Sequence, residues 1–234
     1  MAKTSKESVS FFFPAYFDEK SIPGLVEDFN SSLSKSGREF EIIVVDDCSP
    51  DNTGKVADRL AKKFENVRVV HHKKNRGYGG ALKSGLSSAK KELIGFTDGD
   101  AQFTVEDFTK FLDEIMDADL VIGYRTKRAE GFRRHIIQKC YSLALLLVLS
   151  LNVKDPDCAF KLVRRKALNG LTVDSNSGFF SAEFIYRAKK NGLRIKEVPV
   201  RHLKRKYGTS RCIGYGKIIE TIADLIKFRI NTLR

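Results

Sequence analysis

No two of the four cysteines (Cys48, Cys140, Cys158 and Cys212) stand in a Cys-x-x-Cys pair. Such spacing indicates neither a zinc site nor a disulfide framework, and it fits a reducing cytoplasm. Long apolar runs are missing as well. The longest, 143–151, contains Ser150 and falls well short of the roughly 18 residues that span a bilayer. Near the start the apolar stretch is too short for a signal peptide and is broken by Pro14. The expectation is a chain without leader or membrane span that remains able to lie on a membrane. No repeat, low-complexity tract or linker divides the 234 residues, so one domain (1–234) with one substantial core is expected. Gly77, Gly79 and Gly80 do not complete Gly-x-Gly-x-x-Gly, because Leu82 holds the last position, which argues against a Rossmann dinucleotide site.

Acidic residues are also in short supply. There are 29 against 42 basic residues, a net charge of +13 that suits an anionic partner: nucleotide, phospholipid surface or nucleic acid. The surplus is concentrated. Between 123 and 140 lie Arg125, Lys127, Arg128, Arg133, Arg134 and Lys139 against Glu130 alone, and between 201 and 211 lie Arg201, Lys204, Arg205, Lys206 and Arg211 with no acid. Both blocks adjoin apolar segments in the second half. Nucleic acid is not the expected partner, since neither an aromatic–basic platform nor a recognisable binding motif accompanies the charge.

What is present is an alternation of strand and helix patterns. Residues 9–14, 41–46, 67–71, 93–97 and 120–123 read as strands apolar enough to be buried on both faces. Between them 22–36, 53–64, 80–89 and 105–116 carry helical spacing, with Asp51 and Thr104 as expected N-caps. Alternating βαβα units imply a doubly wound, mostly parallel sheet with flanking helices, in which ligands gather beyond the carboxyl ends of the strands. After residue 123 the pattern changes to helices at 135–151 and 180–191, a strand at 193–200 and a basic amphipathic helix at 216–230. That final helix either packs on the sheet or lies on a membrane surface.

Two carboxylates one residue apart, Asp98 and Asp100, end the fourth strand, and the amide of Gln102 follows. Carboxylates so close repel each other, and a fold that gathers them commonly holds a cation between them. Oxygen ligands without His or Cys suit Mg²⁺ or Mn²⁺, which keep waters and substrate phosphates in their coordination shells. An acidic turn before a helix is the other explanation of the pattern. Asp46 and Asp47 end the second strand in the same way, which favours the functional explanation.

Four clusters follow in order: Phe13-Pro14-Ala15-Tyr16-Phe17-Asp18-Glu19, Val44-Val45-Asp46-Asp47-Cys48-Ser49-Pro50-Asp51, Asn75-Arg76-Gly77-Tyr78-Gly79-Gly80 and Thr97-Asp98-Gly99-Asp100-Ala101-Gln102. With Gly123-Tyr124-Arg125, Asp155-Pro156-Asp157-Cys158-Ala159-Phe160-Lys161 and Arg205-Lys206-Tyr207-Gly208-Thr209-Ser210-Arg211, the series resembles the family-2 inverting glycosyltransferases of the GT-A fold. Within them it is similar to the polyprenyl-phosphate branch, over roughly residues 9–212.

The resemblance implies a GT-A α/β fold with a C-terminal amphipathic helical elaboration. Residues 9–125 would form a nucleotide-sugar-binding half and 126–234 an acceptor- and membrane-facing half. Pro14, Tyr16, Asp18, Val45, Asp46, Asp47 and Gly99 would bind the donor. Asp98 and Asp100 would hold Mg²⁺ or Mn²⁺ with Gln102 as an additional ligand, and Arg125, Arg205 and Arg211 would hold phosphates, a task suited to guanidinium forks. The implied reaction moves a hexose from GDP-mannose or UDP-glucose to a polyprenyl or dolichyl phosphate, peripherally at the cytoplasmic face of a membrane, alone or with a separate transmembrane subunit. The alternative is transfer to a saccharide acceptor, with Asp155 or Asp157 as base. The chain departs from the family at Phe17-Asp18, where Asn-Glu is common, and at Cys158-Ala159-Phe160-Lys161, where Ser-Gly-Phe-Arg is common. Glu183 is expected to be a buried partner of a basic residue, and His71 and His72 structural or exposed.

Overall fold

The computed structural model describes residues 6–126, 132–208 and 215–232, without the side chains of 132–136 and 215. Among them one sheet runs in the order β3-β2-β1-β4-β6-β5-β7. Its strands are β1 Val9–Ala15, β2 Phe40–Asp46, β3 Val67–His71, β4 Leu93–Phe96, β5 Leu120–Arg125, β6 Lys161–Arg164 and β7 Ile195–Val200. The helices are α1 Ile22–Lys35, α2 Thr53–Lys63, α3 Gly77–Ser88, α4 Val105–Glu114, α5 Phe132–Leu149, α6 Phe180–Lys190 and α7 Tyr215–Thr232. Pairing is parallel except at β6, which runs antiparallel to both β4 and β5.

Strand β1 shows why the apolar runs must be continuous. Phe11 and Phe13 enter one core with Phe29 of α1 and Phe108 and Phe111 of α4, whereas Phe12 enters the other with Phe96, Leu82 of α3 and Phe180 and Phe184 of α6. All three β1 phenylalanines are fully buried, and each stabilises the fold by about 1.5–3 kcal/mol relative to exposure. The two helical layers follow from this two-sided strand.

From β1 the chain steps outward through β2 and β3, then returns to place β4 on the other side of β1. This reversal makes the β1/β4 boundary the switch point where a crevice opens. Pro14 widens it. The Phe12 carbonyl accepts from Thr97 N–H on the β4 side, so alternation turns the Pro14 nitrogen toward β4 with no hydrogen to donate. Pairing of β1 with β4 accordingly stops at Phe12–Phe96, while pairing with β2 continues to Ala15–Asp46.

Several boundaries differ from expectation. Strand β6 escaped the sequence pattern, since four residues are too few to show a period and its neighbours impose the conformation. Helix α3 begins three residues early because its first turn docks on another segment: Gly79 N–H donates to Asn176 O at 2.9 Å, and a Cβ at Gly79 would meet Ser175 O at 2.6 Å. Asn52, not Asp51, stands at the N-cap of α2; Asp51 Oδ1 instead accepts from Thr53 N–H (3.1 Å) and Thr53 Oγ1 (2.6 Å). Helix α7 is split by facing. Leu225 is buried and Phe228 packs on Phe179 and Tyr186, whereas Ile219, Ile222, Ile226 and Ile230 are exposed.

Candidate active site

Beyond β4 the chain turns through Thr97-Asp98-Gly99-Asp100 against the end of β1. A Cβ on Gly99 would lie 2.8 Å from Pro14 O and 3.1 Å from Asp18 Oδ2, so glycine is what lets the two loops close. The closure gathers Asp18, Asp98 and Asp100. Burial pushes the Asp100 carboxyl up to about 7, with the neighbouring Asp98 charge adding to the rise and Arg205 opposing it. Burial likewise lifts Asp18 to about 6, against the Tyr16 N–H bond (3.0 Å) and Arg205 that favour its anion. Asp98 is raised too, chiefly by burial, while a hydrogen bond from Tyr78 holds its charge in place. Asp98 Oδ1 is buried and has no hydrogen-bond partner.

Arg205 reaches this cluster from the segment after β7. Gln102 fastens that segment: its carbonyl accepts from Leu203 N–H at 2.9 Å and its Nε2 donates to Leu203 O at 2.8 Å. The clasp delivers Arg205 Nη2 to Asp100 Oδ2 as an ion pair. Gln102 thus has its amide nitrogen committed to placing Arg205. Arg211, the second expected phosphate ligand of this region, lies outside the described residues.

On the β2 side the loops are tied together by side chains. Phe17 N–H donates to Ser49 Oγ (3.2 Å) and Asp18 N–H to Thr53 Oγ1 (2.9 Å), which joins the turn after β1 to the turn after β2. Phe17, Cys48 and Ala101 all take left-handed backbone angles, φ 62°, 58° and 56°. These are uncommon for residues other than glycine, and all three lie in the loops at this end of the sheet. Tyr16 is exposed with its ring edge-on to Phe17 at 4.8 Å. Val45 is buried in the core, which leaves its backbone for any contact with a ligand.

Asp46 and Asp47 carry more structural duty than their sequence suggests. Asp46 accepts from Ser49 N–H (3.0 Å) and pairs with His71 Nδ1 (3.0 Å). Asp47 Oδ1 accepts from Arg76 N–H (2.8 Å) and lies 2.6 Å from the buried His72 Nδ1, whose Nε2 contacts Ser84 at 2.8 Å. His71 is half-exposed, bridging Asp46 and Asp58. Replacing His72 by Ala should destabilise the protein by about 1–3 kcal/mol, because Asp47 is left buried and short of a partner. A fall in the denaturation midpoint, with weaker donor binding, is the expected outcome.

Toward β5 and α5 the organiser is Asp155. Arg125 grips it with Nε (2.7 Å) and Nη2 (2.8 Å), and Gln138 Nε2 of α5 donates to Oδ1 at 2.7 Å. Both members of the ion pair are buried, and the bidentate bond raises the Arg125 pKa further despite burial. Lys161, paired across β6 with Phe96, is fully buried; its Nζ donates to Cys158 O and Ser181 Oγ, and burial lowers its pKa. The Tyr141 hydroxyl is buried without a partner. Glu183 is the partner of a basic residue, accepting from Arg187 Nε at 2.7 Å and from two backbone N–H groups.

Tyr78, His72, Gln138 and Tyr141 escaped the sequence analysis as site-forming residues. Only Tyr78 had a local signal, lying inside the Asn75-Arg76-Gly77-Tyr78-Gly79-Gly80 cluster.

The residues present fit a hard divalent cation. Asp98 offers an unpartnered buried oxygen, Asp100 stands two residues away, and no His or Cys is required. Among the described residues no group of three His, Cys, Asp or Glu side chains is placed to hold a metal alone. Substrate phosphate and water would therefore complete the shell, which is the usual way Mg²⁺ is bound in phosphate sites.

Residues 10–172 match the model of glycosyl transferase family 2. Relatives include a dolichyl-phosphate beta-glucosyltransferase of Dictyostelium discoideum, 26% identical over 96% of this chain and 75% of the relative. An undecaprenyl-phosphate mannosyltransferase of Micrococcus luteus is 28% identical over 92% of this chain and 91% of its own length. Among solved structures, glucosyl-3-phosphoglycerate synthase from Mycobacterium tuberculosis in complex with Mn²⁺, UDP and glucosyl-3-phosphoglycerate superposes with a TM-score of 0.73. That likeness, at 19% identity over 95% of this chain and 80% of the other, establishes the GT-A fold. With the matched model covering more than half of its length, the chain belongs to glycosyl transferase family 2 and is a glycosyltransferase.

Proposed function

We infer that the protein transfers a hexose, with inversion, from GDP-mannose or UDP-glucose to a polyprenyl or dolichyl phosphate in a divalent-metal-dependent reaction. The observation that carries this reading is the switch-point cluster, where Asp98 keeps a buried oxygen without a partner and Arg205 is held beside Asp100. The names of the relatives support the acceptor class. Asp98 and Asp100, with Gln102, would hold Mg²⁺ or Mn²⁺, which when bound neutralises charge on the leaving diphosphate. Arg205 would take up phosphate charge as its pairing with Asp100 is exchanged for ligands. Pro14, Tyr16, Asp18, Asp46, Asp47 and Gly99 would line the donor pocket, and Arg125 would lie toward the acceptor. Residues 9–125 would thus serve the donor and 126–234 the acceptor, at the cytoplasmic face of a membrane.

A phosphate acceptor is already an anion near neutral pH and needs no strong base. This agrees with Asp155, whose oxygens accept from Arg125 and Gln138 and are thereby occupied. A saccharide acceptor would call for a free carboxylate, which Asp155 does not offer.

The test is a donor screen with purified protein, Mn²⁺ or Mg²⁺, a polyprenyl phosphate in detergent and each radiolabelled nucleotide sugar in turn. Label should enter the organic phase from one donor and stop on addition of EDTA. Retention of all label in the aqueous phase, with donor still hydrolysed, would overturn the acceptor assignment.

A further inference from the structure

Helices α5 and α7 both pack onto the core on the α3/α6 side of the sheet, through Leu145 and Leu149 and through Leu225 and Phe228. Each carries a second apolar face that nothing among the described residues covers. On α7, Ile219, Ile222, Ile226 and Ile230 fall within about 80° of one another at helical spacing and are exposed. On α5, Leu143, Leu146 and Leu147 are exposed in the same manner. Exposed apolar surface of this extent marks an interaction site.

Charge and placement say what covers it. Helix α5 contains no acidic residue. On α7, Lys227 and Arg229 lie on the two sides of the isoleucine stripe. The two acids of α7 are neutralised or turned inward: Glu220 pairs with Lys217 at 2.9 Å, and Asp224 accepts from Ser175 Oγ and Ser177 Oγ, both at 2.8 Å. The inner faces of both helices reach the active site. Gln138 of α5 holds Asp155, which holds Arg125. Asp224 of α7 holds the turn whose Asn176 carbonyl receives Gly79 N–H, next to the Tyr78 that bonds Asp98. Among the described residues no helix is long and apolar enough to cross a membrane, so these helices would lie along a surface.

We propose that the outer faces of α5 and α7 form a docking surface for an anionic phospholipid bilayer. The apolar stripes enter the headgroup–acyl boundary and the flanking cations meet the lipid phosphates. Its purpose rests on the polyprenyl-phosphate reading, because a bilayer is where such an acceptor resides; its binding stands on the surface itself.

Flotation with vesicles tests it, using phosphatidylcholine alone and phosphatidylcholine mixed with phosphatidylglycerol. The protein should float with the mixed vesicles, about tenfold less with the neutral ones, and less as salt is raised. The double variant Ile222→Glu/Ile226→Glu should lose flotation by about tenfold or more, as should Leu143→Glu/Leu147→Glu. Both should keep the parent melting temperature and transfer to a short, water-soluble polyprenyl phosphate. Parent-like flotation of both variants, or no flotation of the parent with either vesicle, would overturn the surface. So would a dimer in light scattering that the isoleucine variant dissociates, since the face would then belong to a second copy. The arms separate two failures. Transfer to the soluble acceptor without flotation removes only the docking surface, whereas flotation without transfer to any polyprenyl phosphate removes only the acceptor reading.

Discussion

Asp98→Asn is expected to lower sugar transfer by about 10²–10³-fold while leaving the metal-free protein as stable as the parent or more so. The two halves of that result have one cause. Asp98 Oδ1 is buried with no partner, and burial raises the carboxyl pKa, so the folded protein holds the neutral group better than the anion. An amide of the same shape removes the charge and its repulsion with Asp100, and each ~1 kcal/mol so recovered is worth roughly 2–4 °C in melting temperature. The same amide, being neutral, is a weaker ligand for a hard cation than the carboxylate it replaces. Thermal scans with and without Mn²⁺ make the effect visible. The parent should gain stability from the ion and the variant should not. A variant that transfers sugar at the parent rate would remove Asp98 from the mechanism.

That carboxylate was legible in the sequence because a short apolar strand ends at it, and strand ends in a doubly wound sheet are where ligands collect. The same logic found Asp100, whereas Asp18 came from the family resemblance alone. Legibility failed wherever the determining contact is distant in the chain. Arg205 was found by its motif, but the means of its placement, the Gln102–Leu203 clasp, joins residues 101 apart. Strand β6 has no period of its own and exists because β4 and β5 flank it. Asp46 and Asp47 read as ligand-binding carboxylates, yet each is bonded to a histidine 25 residues away, and no spacing rule reports that. The stripe on α7 read as one apolar face; burial divides it, with Leu225 inside and Ile222 and Ile226 outside. Periodicity identifies which residues share a side of a helix, but it does not say how much of that side the core is wide enough to cover.

Removing Asp155 should be the most damaging single change to stability. Asp155→Ala leaves the Arg125 guanidinium buried without its bidentate partner, where side-chain exposures are 8% and 3%. Stranding one charge of a buried pair costs about 3–5 kcal/mol. For a chain of this size that is a fall of roughly 10 °C or more in melting temperature. Removing both charges is a different matter. Arg125→Met/Asp155→Asn eliminates the unpaired cation and keeps Oδ1 as an acceptor for Gln138, so most of the lost stability should return, a coupling of the kind a double-mutant cycle measures. Transfer should not return with it. If Arg125 lies toward the acceptor phosphate, the double variant folds, binds nucleotide sugar and metal like the parent, and still transfers about a hundredfold more slowly, with the loss in kcat/KM for the polyprenyl phosphate. Recovery of both stability and transfer would reduce the pair to a structural fastening between β5 and the 155–158 turn. Recovery of stability alone would place Arg125 in the acceptor site, held ready there by an acid that the sequence offered as a base.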